Sequence, residues 1–172
     1  MLVIFGGLPG TGKSTLALRL AREWRAVYLR IDTIEKAIVE REEGSSLDER
    51  GYCVAYAVAE DNLRLGHTVI ADSVNPVQIT RSAWLNVAKR AGVQSVEIEV
   101  ICSDRVEHRH RVETRSAIVP VTWYEVVTRD FEPWLGEHTR IDTSGQTIDQ
   151  SLAALLEMLP RGLAVQRTAK GA

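Results

Sequence analysis

The sequence predicts a three-layer α/β fold, in which a parallel sheet of about five strands is covered by helices on both faces and extended by a short helical lid. Two observations predict it. Strand-like apolar runs alternate with helix-like segments along the chain, an order typical of parallel sheets with helical connections. The first of these runs, residues 2–5, is followed by a glycine-rich turn and then by a segment with helical periodicity, as expected at the ligand-binding edge of such a sheet.

Five short runs are the strand candidates. They are Leu2–Phe5, Ala26–Leu29, His67–Ala71, Val96–Ile101 and Arg140–Asp142. The first three are mainly apolar, as buried parallel strands are, whereas Val96–Ile101 alternates polar and apolar residues. We therefore expect Val96–Ile101 to show one face to solvent or to lie near an edge of the sheet.

The helices are predicted from their N-terminal capping signals. Serine, threonine, asparagine and aspartate are the preferred caps, and a glutamate three residues later completes a capping box. The predicted caps are Asp32 (with Glu35), Ser46 (with Glu49), Asn75 (before Pro76), Thr122 (with Glu125) and Thr147. A charged helix is expected after Ser103, and the last helix is expected to end before Pro160.

Length and composition indicate one globular domain. The chain has 172 residues and a formal net charge of −2, so it lacks the basic character of proteins that bind nucleic acids. We expect a domain at residues 1–160 with a lid at about 104–135, followed by a flexible tail at 161–172. No apolar run is long enough to cross a bilayer, so we expect no membrane partner, and we expect a monomer or a homodimer.

Two observations favour a cytoplasmic protein. The first predicted strand begins at residue 2, which leaves no room for a signal peptide. The only cysteines, Cys53 and Cys102, lie in apolar surroundings without the spacing of metal ligands, and we expect both to be reduced core residues.

The segment Gly7-Leu8-Pro9-Gly10-Thr11-Gly12-Lys13-Ser14 has the spacing of a phosphate-binding loop, G-x-x-x-x-G-K-[ST]. Its glycines allow backbone conformations in which N–H groups point at phosphate oxygens. The helix that follows directs its partly positive N-terminus at the same anion. Lys13 is then expected to reach the β- and γ-phosphates of a nucleoside triphosphate, and the Ser14 hydroxyl to ligate Mg²⁺. The alternative is a glycine-rich turn that only precedes a helix.

Two aspartates follow predicted strands and are candidates for the chemistry. Asp32 comes after the second strand and Asp72 directly after the third, so both are expected at the carboxyl edge of the sheet, where ligands bind. Asp72 is expected to hold Mg²⁺ directly or through water, its alternative being a plain loop acid. Asp32 could accept the proton of an acceptor hydroxyl as a general base, and its alternative is a helix cap alone.

A run rich in arginine begins the predicted lid. Arg111 and Arg115 are four residues apart and therefore project from one face of a helix. Placed over a triphosphate, their guanidinium groups could offset charge as a phosphoryl group moves. The alternative is a solvated helix in which Glu107 and Glu113 pair with the arginines. Four arginines in residues 105–115 exceed what two glutamates can balance, which favours the first interpretation.

Aromatic side chains cluster after this helix, at Trp123, Tyr124, Phe131 and Trp134. They could line an acceptor pocket, although packing a small helix onto the body is the commoner use of such residues. Arg81 lies early in the helix predicted to start at Asn75, where it could contact an acceptor anion or be solvated.

Together these segments resemble the small phosphate-loop (P-loop) kinases of the AAA-domain type, related to gluconate kinase, chloramphenicol phosphotransferase, adenylylsulfate kinase and polynucleotide kinase. The resemblance covers roughly residues 2–158 and implies the P-loop NTPase fold. The matching segments are Gly7–Thr15, Ile31-Asp32, Ile70-Ala71-Asp72 with Asn75, and Arg111–Arg115.

The resemblance also implies roles for single residues. The residues that bind ATP are then Gly7, Pro9, Gly10, Thr11, Gly12, Lys13, Ser14 and Thr15, the last of them at the α-phosphate. It implies that Asp32 activates the acceptor and that Ser14 and Asp72 hold Mg²⁺. It further implies that Lys13 acts on the transferred phosphoryl group together with the lid pair Arg111 and Arg115.

The sequence departs from the family in two places. Polynucleotide kinases carry Asp-x-x-Arg after the second strand, whereas this chain has Asp32-x-x-Glu35, which argues against a nucleic-acid substrate. The segment of residues 116–121 is short, so a trimmed lid is expected.

These observations predict an ATP- and Mg²⁺-dependent kinase that transfers the γ-phosphate to a hydroxyl of a small-molecule acceptor. Two alternatives stay open at this point. One is a nucleotide or polynucleotide 5′-kinase, and the other is an ATP-binding regulatory module without acceptor turnover.

Overall fold

The computed structural model describes residues 1–40, 50–116 and 120–159. Their elements are β1 (Leu2–Gly6), α1 (Lys13–Trp24), β2 (Val27–Arg30), α2 (Ile31–Val39), α3 (Arg50–Arg64), β3 (Val69–Asp72), α4 (Gln78–Ala91), β4 (Ser95–Ile101), α5 (Arg105–Thr114), α6 (Trp123–Val127), β5 (Thr139–Asp142) and α7 (Ile148–Met158). The predicted cap at Ser46 with Glu49 and the predicted tail at 161–172 lie outside the described residues.

The strands form a parallel sheet in the order β2-β3-β1-β4-β5. One face packs against α1 and α7, and the other packs against α3 and α4. The central strands β1 and β3 are buried along their whole length, because helices cover both of their faces. The predicted fold class, a parallel α/β sheet between two layers of helices, is confirmed.

The alternating strand β4 lies next to the edge strand β5, as its sequence pattern predicts. Its polar face is covered rather than open to solvent. Glu99 has a side chain only 12% exposed, forms an ion pair with Arg140 at 3.1 Å and lies 3.5 Å from His138 Nε2. The polar partners of Glu99 therefore follow α6 in the chain.

The parallel register brings the carboxyl ends of β1, β2 and β3 to one level. Phe5 lies opposite Asp72 in the β1–β3 pair, and Arg30 lies opposite Asp72 in the β2–β3 pair. The loop after β1, the last residue of β3 and the first turn of α2 consequently meet at this edge. The fold thus places the candidate residues together, as expected for parallel sheets.

Two of the predicted caps in the described residues are confirmed. Thr122 and Thr147 each accept a hydrogen bond from the backbone N–H three residues on and complete a capping box. The cap predicted at Asp32 is wrong, because α2 begins one residue earlier with Arg30 as its N-cap. Asp32 is the second helical residue, so its carboxylate is not used as a cap.

Asn75 does not cap a helix either. The fourth helix begins at Gln78 and has Val77 as its N-cap. Asn75 is fully buried with φ 48°, and its Nδ2 donates to the Phe5 carbonyl oxygen at 2.9 Å. The side chain that was expected to cap a helix instead joins the ends of β1 and β3.

The structure also bears on two further expectations, the burial of the cysteines and the lack of a membrane-spanning segment. Cys102 is buried as expected, but Cys53 is exposed on α3, so the prediction of two core thiols is wrong for Cys53. Across the three described ranges, every helix is too short or too polar to span a bilayer.

Arg81 is a buried residue and not a solvated one. It is 1% exposed, and its guanidinium group lies against two aromatic rings, 5.6 Å from the Phe131 centroid and 4.6 Å from the Trp134 centroid. The same group donates to four backbone carbonyl oxygens: those of Asn75 (3.0 Å), Pro76 (2.9 Å), Glu132 (2.5 Å) and Pro133 (3.0 Å). Arg81 therefore fastens the segment of residues 131–134 to the loop after β3.

Trp134 continues this contact to the first strand. A Cβ on Gly6 would lie 2.3 Å from Trp134 Cζ2, so only glycine leaves room for the indole at that position. Phe131 and Trp134 thus pack a segment onto the carboxyl edge of the sheet, the commoner of the two uses expected for the aromatic cluster.

We expect Arg81→Met to lower the free energy of unfolding by about 2–4 kcal/mol, because four carbonyl groups lose their charged donor. Urea unfolding near neutral pH measures the effect. Lys89→Met, in the exposed last turn of the same helix, is the matched control and should change the free energy by less than about 0.5 kcal/mol. Equal losses in the two variants would contradict the fastening role of Arg81.

Candidate active site

The glycine-rich loop between β1 and α1 has a backbone that its glycines make possible. Gly7, Gly10 and Gly12 have φ values of 143°, 88° and 88°, which side chains disfavour. A Cβ on Gly10 would lie 2.5 Å from Val112 Cγ2, and one on Gly7 would lie 2.2 Å from the Val100 carbonyl oxygen. Gly12 is the N-cap of α1, so the free amides of the first helical turn open onto the loop. This arrangement has the geometry of an anion cradle.

Two residues support the loop from outside, and sequence reasoning did not assign either of them this role. Thr143 Oγ1 donates to the Thr11 carbonyl oxygen at 2.7 Å. His108 is buried, with Nε2 2.8 Å from the Pro9 carbonyl oxygen and its ring edge-on to Trp123. Because a carbonyl oxygen only accepts, His108 must donate from Nε2. The sequence feature that could have indicated His108 is its position three residues before Arg111, which places both side chains on one face of α5.

The loop lysine is held by the aspartate at the end of β3. Lys13 Nζ is 2.8 Å from Asp72 Oδ1 and 3.3 Å from Ser14 Oγ. The two charged side chains are 8% and 0% exposed, so the ion pair is buried. Burial alone would raise the pKa of Asp72, but the charge and hydrogen bond of Lys13 and the hydroxyls of Tyr28 and Ser14 lower that pKa below its ordinary value.

The edge strand β2 supplies two more contacts to Asp72. The Tyr28 hydroxyl donates to Oδ2 at 2.6 Å, and Arg30 Nε lies 3.7 Å from the same oxygen. Burial and the neighbouring charge of Asp72 raise the pKa of Tyr28, so the hydroxyl stays protonated. Tyr28 and Arg30 are two residues apart and project from one face of the strand. The sequence did not indicate either residue as part of the site.

Asp32 lies beside this group at the start of α2. Its Oδ2 is 3.4 Å from Arg30 Nη2, and its side chain is 30% exposed. The carboxylate sits in the first turn of the helix, where the helix dipole favours negative charge. A carboxylate that is accessible and weakly paired can accept a hydrogen bond from a hydroxyl group.

Arg111 turns toward the phosphate-binding loop. Its Nη1 donates to Thr143 Oγ1 at 2.8 Å and its Nη2 donates to the Thr143 carbonyl oxygen at 3.0 Å. Nη2 also donates to Glu107 at 2.6 Å. Arg111 thus lies where a nucleotide in the loop would meet it.

Arg115 turns toward Asp32 instead. Among the described residues it has no ion-pair partner, and its Nε is buried without a hydrogen bond. Burial lowers the pKa of Arg115, whereas Asp32 raises it and Arg30 lowers it further. The pairs that the solvated-helix alternative predicts are present for Arg109 with Glu113 at 2.8 Å and for Arg111 with Glu107 at 2.6 Å. Arg115 has no such pair among the described residues.

One cavity of about 1100 Å³ connects these groups. The loop, Arg111 and Thr143 line one end, which we term the donor end. The other end, the acceptor end, contains residues that lie near Asp32: Arg30, Glu35, Tyr52 and Arg115. A pocket for one small ligand has roughly 300–1,000 Å³, so the cavity has room for a nucleotide and part of a second molecule.

The predicted Mg²⁺ ligands fit a hard cation. Ser14 and Asp72 present hydroxyl and carboxylate oxygens, the donors that Mg²⁺ prefers. The Lys13 ammonium group already lies between them, within 2.8 Å of Asp72 and 3.3 Å of Ser14. Because this cation contacts both oxygens, the two residues converge on one point.

We expect Gly10→Ala to raise the Kd for Mg·ATP by about tenfold or more, since the new Cβ must displace Val112 and distort the loop. Gly66→Ala is a matched control, because Gly66 has φ 87° against 88° for Gly10 and nothing lies within 4 Å of its Cβ position. The control should lose stability by about 1–2 kcal/mol and bind normally. Calorimetric titration measures both, and equal affinities in the two variants would contradict the cradle.

Comparison with solved structures shows what the fold is similar to. A sugar kinase from Janibacter sp. has a TM-score of 0.69 at 16% identity, over 98% of this chain and 98% of that chain. The APS kinase of Mycobacterium tuberculosis in complex with AMPPNP and APS has a TM-score of 0.66 at 18% identity, over 91% and 95% of the two chains. Kti12 of Chaetomium thermophilum in complex with ADP-AlF3 has a TM-score of 0.66 at 21% identity, over 93% and 100%.

The sequence comparisons give the family. No curated protein matches the chain. Residues 2–133 match the family described as AAA domain, which is more than half of the 172 residues. The predicted resemblance to small P-loop kinases is confirmed in family and fold: the chain belongs to the AAA-domain family and has a kinase-like P-loop NTPase fold.

Proposed function

We propose that the chain is an ATP- and Mg²⁺-dependent kinase that transfers the γ-phosphate to a hydroxyl group of a small molecule. The observation that carries this proposal is the single cavity whose donor end is the phosphate-binding loop and whose acceptor end contains Asp32. A nucleotide in the loop leaves the acceptor end free for a second molecule. The similarity to a sugar kinase and an APS kinase supports the same class of reaction.

The donor is held by groups that the structure has already brought together. The loop amides and the start of α1 bind the phosphates, with Thr15 at the α-phosphate. Lys13 exchanges Asp72 for oxygens of the β- and γ-phosphates. Ser14 and Asp72 would hold Mg²⁺, which when bound offsets the charge of the phosphate oxygens.

The acceptor hydroxyl is proposed to donate its hydrogen bond to Asp32. Its oxygen forms a bond to the γ-phosphorus, the bond from that phosphorus to the β–γ bridging oxygen breaks, and ADP leaves with the electron pair. The hydroxyl proton passes to Asp32 and then to solvent. Arg111 from the donor end and Arg115 from the acceptor end offset charge on the phosphoryl group as it moves.

Two alternatives are outcomes of the same assays. A nucleotide or polynucleotide 5′-kinase would turn over nucleosides or oligonucleotides and not small hydroxyl compounds. An ATP-binding regulatory module would bind Mg·ATP without acceptor-dependent release of ADP. We propose a monomer or homodimer acting in the cytoplasm, with neither a nucleic acid nor a membrane as partner.

We expect Asp32→Asn to lower kcat by about 10²–10⁴-fold, the usual contribution of a general base, while the Kd for Mg·ATP stays within about twofold. Coupled measurement of ADP release with a panel of hydroxyl acceptors gives kcat, and calorimetry gives Kd. Asp61→Asn, at an exposed position on α3, should leave both constants unchanged. Unaltered turnover in Asp32→Asn would remove Asp32 from the reaction.

Arg111→Ala should lower kcat by about tenfold or more, because one of the charges facing the transferred group is lost. Its effect on ATP binding should be smaller than its effect on turnover. Arg109→Ala, on the same helix with an exposed partner, is the control and should behave as wild type. If both variants keep full activity, the interpretation of α5 as a solvated helix is correct for Arg111 as well.

A further inference from the structure

Among the described residues, two arginines, Arg30 and Arg115, line the acceptor end of the cavity near Asp32. Buried or half-buried charges cost free energy unless they are paired. How completely these two guanidinium groups are paired therefore indicates what kind of ligand this wall suits.

Arg30 has only incomplete pairing in the protein. It lies 3.4 Å from Asp32 and 3.7 Å from Asp72, both longer than a good charge-assisted hydrogen bond. Its Nε is buried without a hydrogen bond. The second of its carboxylates, Asp72, is already paired with Lys13 at 2.8 Å. Of the two described carboxylates near Arg30, only Asp32 has no closer cationic partner.

Arg115 lines the same cavity as Arg30 and Asp32. Its Nε is buried without a hydrogen bond, and among the described residues it has no ion pair. Two incompletely paired guanidinium groups therefore lie at the wall of the cavity with Asp32. A guanidinium fork matches carboxylate and phosphate oxygens with two parallel hydrogen bonds, so this pair of groups is suited to an anion.

We propose that the phosphoryl acceptor is a hydroxyl compound that carries an anionic group, a carboxylate or a phosphate, and that Arg30 and Arg115 bind this group while the hydroxyl contacts Asp32. The inference rests on the proposed kinase function and names its class of substrate. An uncharged polyol would leave Arg30 with its long contacts to Asp32 and Asp72 and Arg115 without an ion pair among the described residues. An anion within reach of both gives each arginine a partner and leaves Asp32 free to accept the hydroxyl proton.

The test compares matched acceptors. Initial rates of ADP release at saturating Mg·ATP are measured for short polyols, for the hydroxy acids with the same carbon skeleton and for their phosphate monoesters. We expect kcat/KM to be at least about tenfold higher for one of the two anionic series than for the polyols. The hydroxy-acid and phosphate arms distinguish a carboxylate from a phosphate as the anion.

Arg30→Met identifies the residue behind the preference. It should raise KM for the anionic acceptor about tenfold or more, and change KM for ATP and for the polyols by a much smaller factor. Arg30→Lys keeps a positive charge and should recover part of the affinity. Lys36→Met removes a positive charge from the exposed face of α2, where Lys36 pairs with Glu40 at 3.6 Å, so it should not reproduce the change; if it does, the overall charge rather than Arg30 sets the preference and the inference is wrong.

The outcomes separate this inference from the proposed function. Turnover of polyols with no preference for anions overturns the inference and keeps the kinase. If no acceptor is turned over, the proposed function fails, and the anion site is tested by calorimetric titration of the hydroxy acids and phosphate monoesters into protein saturated with Mg²⁺ and a non-hydrolysable ATP analogue. Binding that Arg30→Met abolishes would support the site, and absence of binding would overturn it.

Discussion

The buried ion pair between Lys13 and Asp72 is the contact on which the candidate site depends. It joins the first turn of α1 to the end of β3 with both side chains nearly inaccessible. Leaving either charge unpaired in such a place costs about 3–5 kcal/mol. A ligand that separates the pair must therefore satisfy both members at once. A triphosphate with a divalent cation would do so, since phosphate oxygens would pair with Lys13 and the cation with Asp72, and the proposed kinase would therefore use Mg·ATP rather than free nucleotide.

From this pair, charges alternate in sign toward the acceptor end. Arg30 lies beside Asp72 at 3.7 Å and beside Asp32 at 3.4 Å, and Arg115 follows Asp32. When Lys13 leaves Asp72 for a phosphate, the balance around Arg30 changes as well. One row of charged groups thus links the donor and acceptor ends of the cavity, and the edge strand β2 contributes Arg30 to it.

The parts of the molecule that local pattern determines could be predicted from the sequence. The loop from Gly7 to Ser14 and the capping box at Thr122 depend on residues close together in the chain. The parallel sheet follows from the alternation of strand and helix segments along the chain. Arg81 and Tyr28 could not be assigned, because Arg81 contacts Pro133, 52 residues away, and Tyr28 contacts Asp72, 44 residues away. The roles of Arg81 and Tyr28 depend on which strands and loops become neighbours in the fold. Asn75 has the sequence of a helix cap, but its side chain instead forms a tertiary hydrogen bond with the Phe5 carbonyl oxygen.

Whether Lys13 and the phosphate-binding loop hold the nucleotide is tested by calorimetric titration of Mg²⁺ with a non-hydrolysable ATP analogue into wild-type protein, Lys13→Met and Lys36→Met. Lys36 is an exposed lysine of α2 that pairs with Glu40, so it controls for the loss of one positive charge. We expect saturable binding to the wild type and to Lys36→Met, and loss of that binding in Lys13→Met. Equal affinity in all three proteins, or no binding to the wild type, would contradict this expectation.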